Sequence, residues 1–433
     1  MRGCKRTQAM LVISTIGALA TILTGCSASS TSTGASSASN GPVTITFLAC
    51  CAADQTKTLV AEFEKKYPNI TVKTQVVPFE NLNSTVEARL GQKDSSFDFY
   101  EADQPRTAAL ASKGFLADIT TTFRPLADPT LFPASIQASS WHNKIWSAPL
   151  WTSTSILYYN KTLLAKAGVA PPSGDPSARW TWEQVSVAAK KAMSVGAQCG
   201  FMFDQPNRFY QLQPLIESAG GGSGLTGSKL LTPDITNAGW TKAMTYYAEL
   251  YSSGITPRGV PAEQTRALFQ NGKCAFFLGV PAIPTFDTTG LSYGYAPSPY
   301  FDGGKPATPT DSFALGVNPY TKNMSAALKF IEYASTDTAG NLAAVADNPN
   351  PTPNKAALPT FFAQVEAKSP AMKGVGTLVQ YELQNTAVHR PASTGYIIFE
   401  TTINNAFSDI SNGKGVQPTL AQAQKDLIDQ LSR

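Results

Sequence analysis

Histidine is scarce in this chain, and its scarcity excludes several kinds of site. The 433 residues include two histidines, His142 and His389, which are far apart in the sequence. Neither has other ligand residues at the short spacings that zinc sites use, so no metal site is predicted. A Ser-His-Asp triad is not predicted either, because it needs a histidine beside the nucleophile and the chain has only two histidines.

Familiar catalytic and phosphate-binding motifs are also missing. No G-x-S-x-G, H-E-x-x-H or G-x-x-x-x-G-K-[ST] pattern occurs, so we expect no cofactor and name no catalytic residue. A glycosidase that uses two carboxylates has no such motif, and this alternative stays open. Glu101 and Asp103 are the first pair to suspect. The other interpretation of both is that they are solvated acids in a loop.

Long apolar runs and concentrated charge are absent beyond the N-terminal segment. After residue 25 no apolar stretch approaches the roughly 20 residues that a membrane-spanning helix needs. The chain has a net charge of +4, and its first 25 residues contain basic but no acidic side chains, so the remainder is nearly neutral. No basic run with interleaved aromatic residues occurs. The composition therefore gives no reason to expect nucleic acid as a partner.

The first 41 residues have the order of an export signal followed by a tether. A basic start precedes an uncharged, mostly apolar run over residues 9–24, which is too short to span a membrane. The L-T-G-C sequence that ends at Cys26 resembles the lipobox of bacterial lipoproteins. The resemblance implies removal of residues 1–25 and attachment of acyl chains such as palmitate at Cys26. Residues 26–41, rich in Ser, Thr, Ala and Gly, are predicted to be a flexible tether. The alternative is an ordinary secretory cleavage site with an incidental cysteine.

Four cysteines follow Cys26, and outside the cytosol they allow three sets of disulfide pairs. Cys199 and Cys274 each begin an apolar, strand-like run, so a disulfide could join two neighbouring strands. That bridge would close a loop of about 75 residues, worth roughly 4 kcal/mol in the chain-entropy account. Cys50 and Cys51 are then either free thiols or an adjacent disulfide pair.

Hydrophobic periodicity predicts an α/β body. A strand over residues 43–49, a helix over 54–67 and a strand over 70–77 form a βαβ unit, which predicts a parallel sheet covered by helices. Ligands of such sheets bind beyond the carboxyl ends of the strands, so the loops at 49–54 and 101–106 are expected at a cleft. The length favours two lobes. Further predictions are helices at 182–193, 240–251, 327–334 and 420–431, a strand at 199–203, and a Pro-rich surface connection at 349–359.

Three segments carry a family resemblance when they are taken in order. They are S-W-H-N-K-I-W-S-A-P (140–149) with L-Y-Y-N-K (157–161), F-Q-N-G-K-C-A (269–275), and Gly395-Tyr396 with the final helix. Their order and spacing resemble those of the carbohydrate-type extracellular solute-binding proteins of ABC transporters, the maltose-binding protein family. The resemblance covers residues 43–433.

The resemblance implies a two-lobed fold in which each lobe has a central, mostly parallel sheet flanked by helices, with several crossovers between lobes. The N-lobe would take residues 42–151 and 313–365, and the C-lobe 155–310 and 371–433. It implies a monomeric receptor, not an enzyme, that captures a mono- or oligosaccharide and delivers it to the permease subunits of an ABC importer. The lipid anchor would hold it at the outer face of the cell membrane. The alternatives are a surface-anchored carbohydrate-active enzyme and a binding protein for a non-sugar ligand.

The resemblance also implies a set of ligand-binding residues between the lobes. An aromatic stacking position of the family corresponds here to Gly279-Val280-Pro281, so that aromatic platform is lost and a smaller pocket is expected. Aromatic faces stack on sugar rings, while acids, amides and arginines bond the hydroxyls. The predicted ligand-binding residues are Glu101, Asp103, Gln104, Arg106, Trp151, Ser153, Arg208, Tyr210 and Tyr396.

Overall fold

A computed structural model describes residues 41–50 and 52–432. The predicted signal peptide, residues 26–40 of the predicted tether, and Cys51 lie outside these ranges. Lipidation of Cys26 and the state of the Cys50–Cys51 pair therefore stay predictions. No helix in the described ranges is long and apolar enough to cross a membrane.

Strands and helices are interspersed along the described chain, in keeping with the predicted α/β body. The strands are β1 (Val43–Cys50), β2 (Ile70–Val77), β3 (Phe99–Asp103), β4 (Ser140–Trp141), β5 (Lys144–Ile145), β6 (Ser147–Pro149), β7 (Ile156–Asn160), β8 (Cys199–Phe203), β9 (Leu225–Thr226), β10 (Thr232–Pro233), β11 (Cys274–Gly279), β12 (Tyr293–Pro297), β13 (Thr308–Pro309), β14 (Phe313–Val317) and β15 (Ala387–Val388). The helices are α1 (Lys57–Lys66), α2 (Phe79–Gly91), α3 (Thr107–Ser112), α4 (Thr120–Thr130), α5 (Pro133–Ala138), α6 (Lys161–Lys166), α7 (Trp182–Ser194), α8 (Phe209–Ser218), α9 (Ala238–Ser252), α10 (Ala262–Gln270), α11 (Met324–Thr336), α12 (Thr338–Ala344), α13 (Ala357–Lys368), α14 (Val375–Asn385), α15 (Tyr396–Ser411) and α16 (Val416–Leu431).

Two sheets form the centres of two lobes, which confirms the predicted fold class. The first sheet has the order β2-β1-β3-β14-β6, and the second has the order β12-β7-β11-β8. In each sheet one strand, β14 or β7, runs antiparallel to its neighbours, and the other strands share one direction. The sheets are therefore mostly parallel in strand direction. The residue limits of each lobe remain a prediction, because the sheets alone do not fix them.

The chain crosses between the two sheets more than once. It leaves the first sheet after β6, builds the second sheet from β7, β8, β11 and β12, and returns to the first sheet at β14. Residues 150–155 and 298–312 link the sheets. All of 150–155 and, within the second segment, residues 307–311 are buried, whereas residues 302, 303, 305 and 306 are exposed. Residues 150–155 and 307–311 therefore run through the interior, where they can present side chains to a ligand.

The first sheet has an apolar cluster on each of its faces. Consecutive residues of a strand point to opposite faces, so its strands contribute to both clusters. Phe47 of β1 stacks on Phe99 of β3 with ring centroids 4.8 Å apart, and both belong to the larger apolar core. Leu48 and Tyr100, the next residues along each strand, pack on the other face in a separate apolar cluster with α2. Apolar burial on two faces fixes the register of these strands.

Local sequence signals explain where several helices begin. Thr181 caps α7 through its hydroxyl, and the side chain of Gln184 bonds back to the Thr181 backbone, forming a capping box. The predicted helix over residues 54–67 begins with a short 3-10 turn at Ala53–Thr56, and the α-helix proper starts at Lys57. Because helix ends often tighten into 3-10 geometry, this difference lies within the ordinary uncertainty of a boundary.

Cys199 and Cys274 lie directly opposite each other on the parallel strands β8 and β11. The structure joins them by a disulfide, with the two Cα atoms 4.3 Å apart and 75 residues between them in sequence. Closing a loop of this length restricts the unfolded chain. We expect the Cys199→Ser/Cys274→Ser variant to lose about 4 kcal/mol of unfolding free energy in urea. An equal free energy of unfolding for the variant and the oxidised protein would contradict a structural disulfide.

The Pro-rich stretch at residues 349–359 is not the surface connection that its composition predicts. Thr352 and Asn354 are buried, and the carbonyl of Pro351 accepts a hydrogen bond from the backbone N–H of Thr152 at 2.7 Å. The side-chain amide of Asn354 bonds backbone carbonyls at the end of α11. Hydrogen bonds to residues distant in sequence thus hold this segment in the interior. Amino-acid composition alone does not reveal such bonds.

Candidate functional site

A cleft of about 460 Å³ lies where the ends of strands from both sheets converge. Cys50 ends β1 and Asp103 ends β3, and both line it. From the second sheet, Asp204 directly follows β8 and Val280 directly follows β11. All four positions lie at the carboxyl ends of their strands, where ligands of open α/β sheets bind. The expectation of a cleft beyond the strand ends is therefore confirmed.

Five of the nine predicted ligand-binding residues line this cleft and four do not. Those that line it are Asp103, Trp151, Ser153, Arg208 and Tyr210. Those absent from its lining are Glu101, Gln104, Arg106 and Tyr396, all largely buried behind it. A direct contact between any of the nine and a ligand stays a prediction.

Asp103 is held by an arginine that the sequence analysis did not name. Both carboxylate oxygens accept hydrogen bonds from Arg390, at 2.9 and 3.0 Å, and both side chains are 5 % exposed. Burial raises the pKa of Asp103 more than the neighbouring Arg390 and Arg106 guanidinium groups lower it. Two parallel N–H···O bonds of this kind fix the geometry of both side chains.

Arg106 and Tyr396 act behind the cleft wall on Glu400, which itself lines the cleft. Arg106 donates to the Glu400 carboxylate at 2.7 Å, and the Tyr396 hydroxyl donates to its other oxygen at 3.1 Å. Burial alone would raise the pKa of Glu400, but the Arg106 and Arg390 guanidinium groups outweigh burial and hold that pKa below its usual value. In this structure both predicted residues position a carboxylate.

Glu101 is neither in a loop nor solvated, which corrects one of the two interpretations of the suspected acid pair. It lies within β3, is 2 % exposed, and accepts a hydrogen bond from the backbone N–H of Cys50 at 2.6 Å. Asp103 is also in β3 and buried. Burial raises the pKa of Glu101 to about 7. Its contact with Cys50 ties the end of β1, at the rim of the cleft, to β3.

The raised pKa of Glu101 predicts a stability that falls as the pH rises. Above about pH 4.5 the unfolded chain releases this proton, whereas the folded protein retains it until about pH 7. The unfolded state is therefore favoured progressively across this window, by about 3 kcal/mol in total. We expect Glu101→Gln, which retains an acceptor for Cys50, to remove this slope from urea-unfolding data. Parallel pH profiles for the two proteins between pH 4.5 and 7 would contradict the assignment.

Gln104 faces the opposite side of the segments that link the sheets. Its side-chain amide donates to Ser139 Oγ at 3.1 Å, and its oxygen accepts from the Ser312 backbone N–H at 2.8 Å. It lines a second cavity of about 300 Å³, together with Thr152. Because neighbours along an extended segment point to opposite sides, Asp103 and Gln104 line different cavities, as Ser153 and Thr152 do.

Aromatic side chains from both lobes form part of the cleft. Trp151, on the linking segment, is 4 % exposed and packs on Phe313, with ring centroids 5.6 Å apart. Tyr210 lies near Arg390, whose guanidinium carbon is 5.3 Å from the tyrosine ring centroid. Phe79 packs beneath the guanidinium group of Arg208 at 4.3 Å. Trp151 and Tyr210 thus line the cleft, whereas Tyr396 does not.

Several residues that line the cleft are not among those predicted from the sequence. Asp204 immediately follows a predicted strand, so the rule of carboxyl strand ends could have indicated it. Asn350 belongs to the stretch at 349–359 that is predicted to be a surface connection, and Asn348 immediately precedes this stretch. Arg390 carries no local signal, since its partner Asp103 is 287 residues away in sequence. Within residues 41–50 and 52–432, no group of three or more His, Cys, Asp or Glu side chains could hold a metal ion.

Comparison with known proteins identifies the class to which this fold and cleft belong. Residues 53–341, two thirds of the chain, match the family described as bacterial extracellular solute-binding protein. The chain is a member of this family. A probable ABC transporter-binding protein of Deinococcus radiodurans is 28 % identical over 81 % of this chain and 84 % of its own length. The family consists of solute-binding receptors rather than enzymes. The word extracellular in its description places these receptors outside the cytoplasm.

Two proteins with named ligands are similar to the chain. Maltodextrin-binding protein MdxE of Bacillus subtilis is 28 % identical over 65 % of this chain, and the match spans just under two thirds, 66 %, of that relative. A solved ABC substrate-binding protein of Listeria monocytogenes in complex with cycloalternan superimposes with a TM-score of 0.79 at 20 % identity, covering 90 % of this chain and 99 % of that one. The structural likeness confirms the two-lobed fold.

Proposed function

We propose that the protein is a sugar receptor that captures a mono- or oligosaccharide in the cleft and delivers it to an ABC importer. The observation that carries the proposal is the composition of the cleft. Trp151 and Tyr210 offer aromatic faces for the apolar side of a sugar ring, while neighbouring amide and hydroxyl groups suit its hydroxyls. A cleft volume of about 460 Å³ lies within the usual range for small-molecule sites.

The arrangement of carboxylates favours a receptor over the alternative of a carbohydrate-active enzyme. A glycosidase needs one carboxyl group free to donate a proton and another free to attack or to activate water. In this cleft Asp103 is bound by Arg390 through both oxygens, and Glu400 is bound by Arg106 and Tyr396.

Asp204 is bound by Arg266, and Asp311 by His389. Carboxylates held by these hydrogen bonds stabilise the cleft wall and orient the side chains around them. Among the described residues Glu263 lines the cleft without an ion pair, and a single such carboxylate is not the pair that a glycosidase uses.

The receptor and enzyme functions are separated by one experiment on the chain from residue 42 to 433, which lies within the compact unit Asn40–Arg433. The purified chain is incubated with a panel of mono- and oligosaccharides. We expect a saturable rise in melting temperature with one or a few sugars and no released product by chromatography. Turnover of a sugar without saturable stabilisation would overturn the receptor proposal.

We further propose that a lipid at Cys26 holds the receptor, as a monomer, at the outer face of the cell membrane. A tether raises the effective concentration of the body near a membrane-bound transporter. We expect Cys26→Ser to move the protein from the membrane fraction to the periplasm or medium in cell fractionation. Cys4→Ser, a change within the predicted signal peptide, is the matched control and should leave it membrane-bound. Retention of the Cys26→Ser protein in the membrane would contradict the anchor.

A further inference from the structure

Every arginine and most of the carboxylates that line the cleft have a charged partner, so few charged groups are left for a ligand. The clearest pair is Asp204 and Arg266, both of which line the cleft. Arg266 donates through Nε and one terminal nitrogen to the two carboxylate oxygens, at 2.8 and 2.7 Å. Asp204 is buried, whereas the Arg266 side chain is 44 % exposed. This guanidinium would face an incoming ligand if its carboxylate were removed.

The other cationic groups of the cleft lining are paired in the same way. Arg390 is bound to Asp103 through two hydrogen bonds, and its other charged neighbour is Glu400, at 3.8 Å. Arg208, at the rim, forms an ion pair with Glu80. Each arginine that lines the cleft therefore has a carboxylate partner, and the site presents no uncompensated positive charge.

The remaining acids make the cleft less suited to an anion. Glu263 lines it, and no ion pair to Glu263 occurs within the part of the chain that the structure describes. Asp311 is bonded to His389 Nδ1 at 2.6 Å and to the backbone N–H of Arg390 at 2.9 Å. His389 supplies a compensating charge only when it is protonated. At neutral pH or above, the local balance is thus neutral or negative.

The hydrogen-bonding groups that remain for a ligand are mostly uncharged. Gln55, Gln205, Asn348 and Asn350 line the cleft, and each amide can both donate and accept. The Tyr210 hydroxyl is buried beside the side chain of Ser153, which also lines the cleft. Amide and phenol groups suit hydroxyl and ether oxygens, which carry no full charge, whereas phosphate and carboxylate groups are bound most strongly by cationic donors or by clustered backbone N–H groups.

We infer that the cleft selects uncharged polyhydroxy ligands, and that Asp204 is the specificity-determining residue that prevents Arg266 from binding an anionic group. The inference rests on the proposed function and narrows it to neutral sugars. It excludes sugar phosphates and sugar acids, which share ring shape and hydroxyls with neutral sugars but add a negative charge. Specificity of this kind arises from what a site rejects as well as from what it binds.

Matched pairs of ligands test the inference on the chain from residue 42 to 433. Calorimetric titrations compare maltose with maltose 6′-phosphate, and glucose with glucose 6-phosphate and glucuronate, so that the members of each pair share their rings and differ in charge. We expect at least one neutral member to bind, and every anionic counterpart to bind at least tenfold more weakly. Anionic members that bind as tightly as neutral ones would overturn the inference while leaving the sugar receptor intact. If neither kind binds, the proposed function fails, and the inference fails with it.

A charge-removing variant tests the role assigned to Asp204. Asp204→Asn is expected to bind glucose 6-phosphate at least tenfold more tightly than the unmodified chain, with the gain lost at 1 M salt because the new interaction is screened. The Asp204→Asn/Arg266→Gln variant should show no gain, since the exposed guanidinium is gone. Asp409→Asn, which removes one partner of an exposed pair with Lys414, controls for a general change in net charge.

Melting curves establish that each of these variants is folded before titration. A folded Asp204→Asn protein without increased affinity for glucose 6-phosphate would remove Asp204 from the specificity mechanism. An equal gain in affinity for glucose 6-phosphate in the Asp204→Asn/Arg266→Gln variant would also remove Asp204 from the specificity mechanism. If Asp204→Asn does not fold, Asp204→Ser supplies the same loss of charge, and the same two outcomes decide the assignment.

Discussion

Replacing Arg390 by methionine is expected to lower the free energy of unfolding by about 3–5 kcal/mol. Methionine fills much of the same volume but leaves the carboxylate of Asp103, which is 5 % exposed, without its two hydrogen bonds. An unpaired buried carboxylate is costly, because the protein interior solvates charge far less well than water does. Urea unfolding at pH 7 measures the loss.

The pH dependence of this loss identifies its cause. Protonation of Asp103 removes the unpaired charge, and burial already raises the pKa of this carboxyl group. The Arg390→Met protein should therefore recover part of its lost stability between pH 7 and 5. Lys414→Met removes one partner of an ion pair whose side chains are 65 % and 44 % exposed, and it should cost less than about 1 kcal/mol. A similarly small effect of Arg390→Met would contradict the buried network.

Replacing Trp151 by alanine is expected to weaken sugar binding by about 2 kcal/mol, roughly thirtyfold in dissociation constant. The indole lines the cleft and is supported by Phe313, so it offers a rigid flat face for a sugar ring. Titration of the sugar that stabilises the unmodified chain measures the effect. A dissociation constant within twofold of the original would remove Trp151 from the binding site.

Two further variants separate lost binding from lost stability. Trp151 also belongs to the apolar core, so its truncation reduces stability as well as affinity. Trp151→Phe retains an aromatic face and should show a smaller loss of affinity. Trp146 packs in the other apolar cluster of the first lobe and does not line the cleft, so Trp146→Ala should leave the affinity unchanged. Equal losses in the Trp151 and Trp146 alanine variants would indicate a general effect of destabilisation.

The elements that the sequence predicts well are those with local causes. The β1-α1-β2 unit follows from periodicity over about 35 residues, and α7 follows from an apolar stripe after a capping threonine. In both cases the pattern that indicates the structure lies within the segment itself. For the disulfide, two similar strand-like runs permit the pairing of Cys199 with Cys274 as one of three sets, and the fold selects it across a separation of 75 residues.

The parts of the site that the sequence does not reveal depend on contacts distant in sequence. Asp103 looks like a ligand acceptor until the fold brings Arg390 to it across 287 residues. Tyr396 is predicted to bind the ligand, yet its hydroxyl bonds Glu400 behind the cleft wall. Asn348 and Asn350 reach the cleft because the neighbouring Pro-rich segment is buried. The sequence contains no local pattern for any of these contacts.

The most direct test of the central claim is a crystal structure of residues 42–433 with the sugar that binds most tightly in the titrations. We predict one sugar between the lobes, with a ring face on Trp151, hydroxyls bonded to Tyr210 and the lining amides, and the Asp204–Arg266 pair intact. A sugar bound elsewhere on the protein, or a cleft in which Asp204 has released Arg266 to the ligand, would contradict the account.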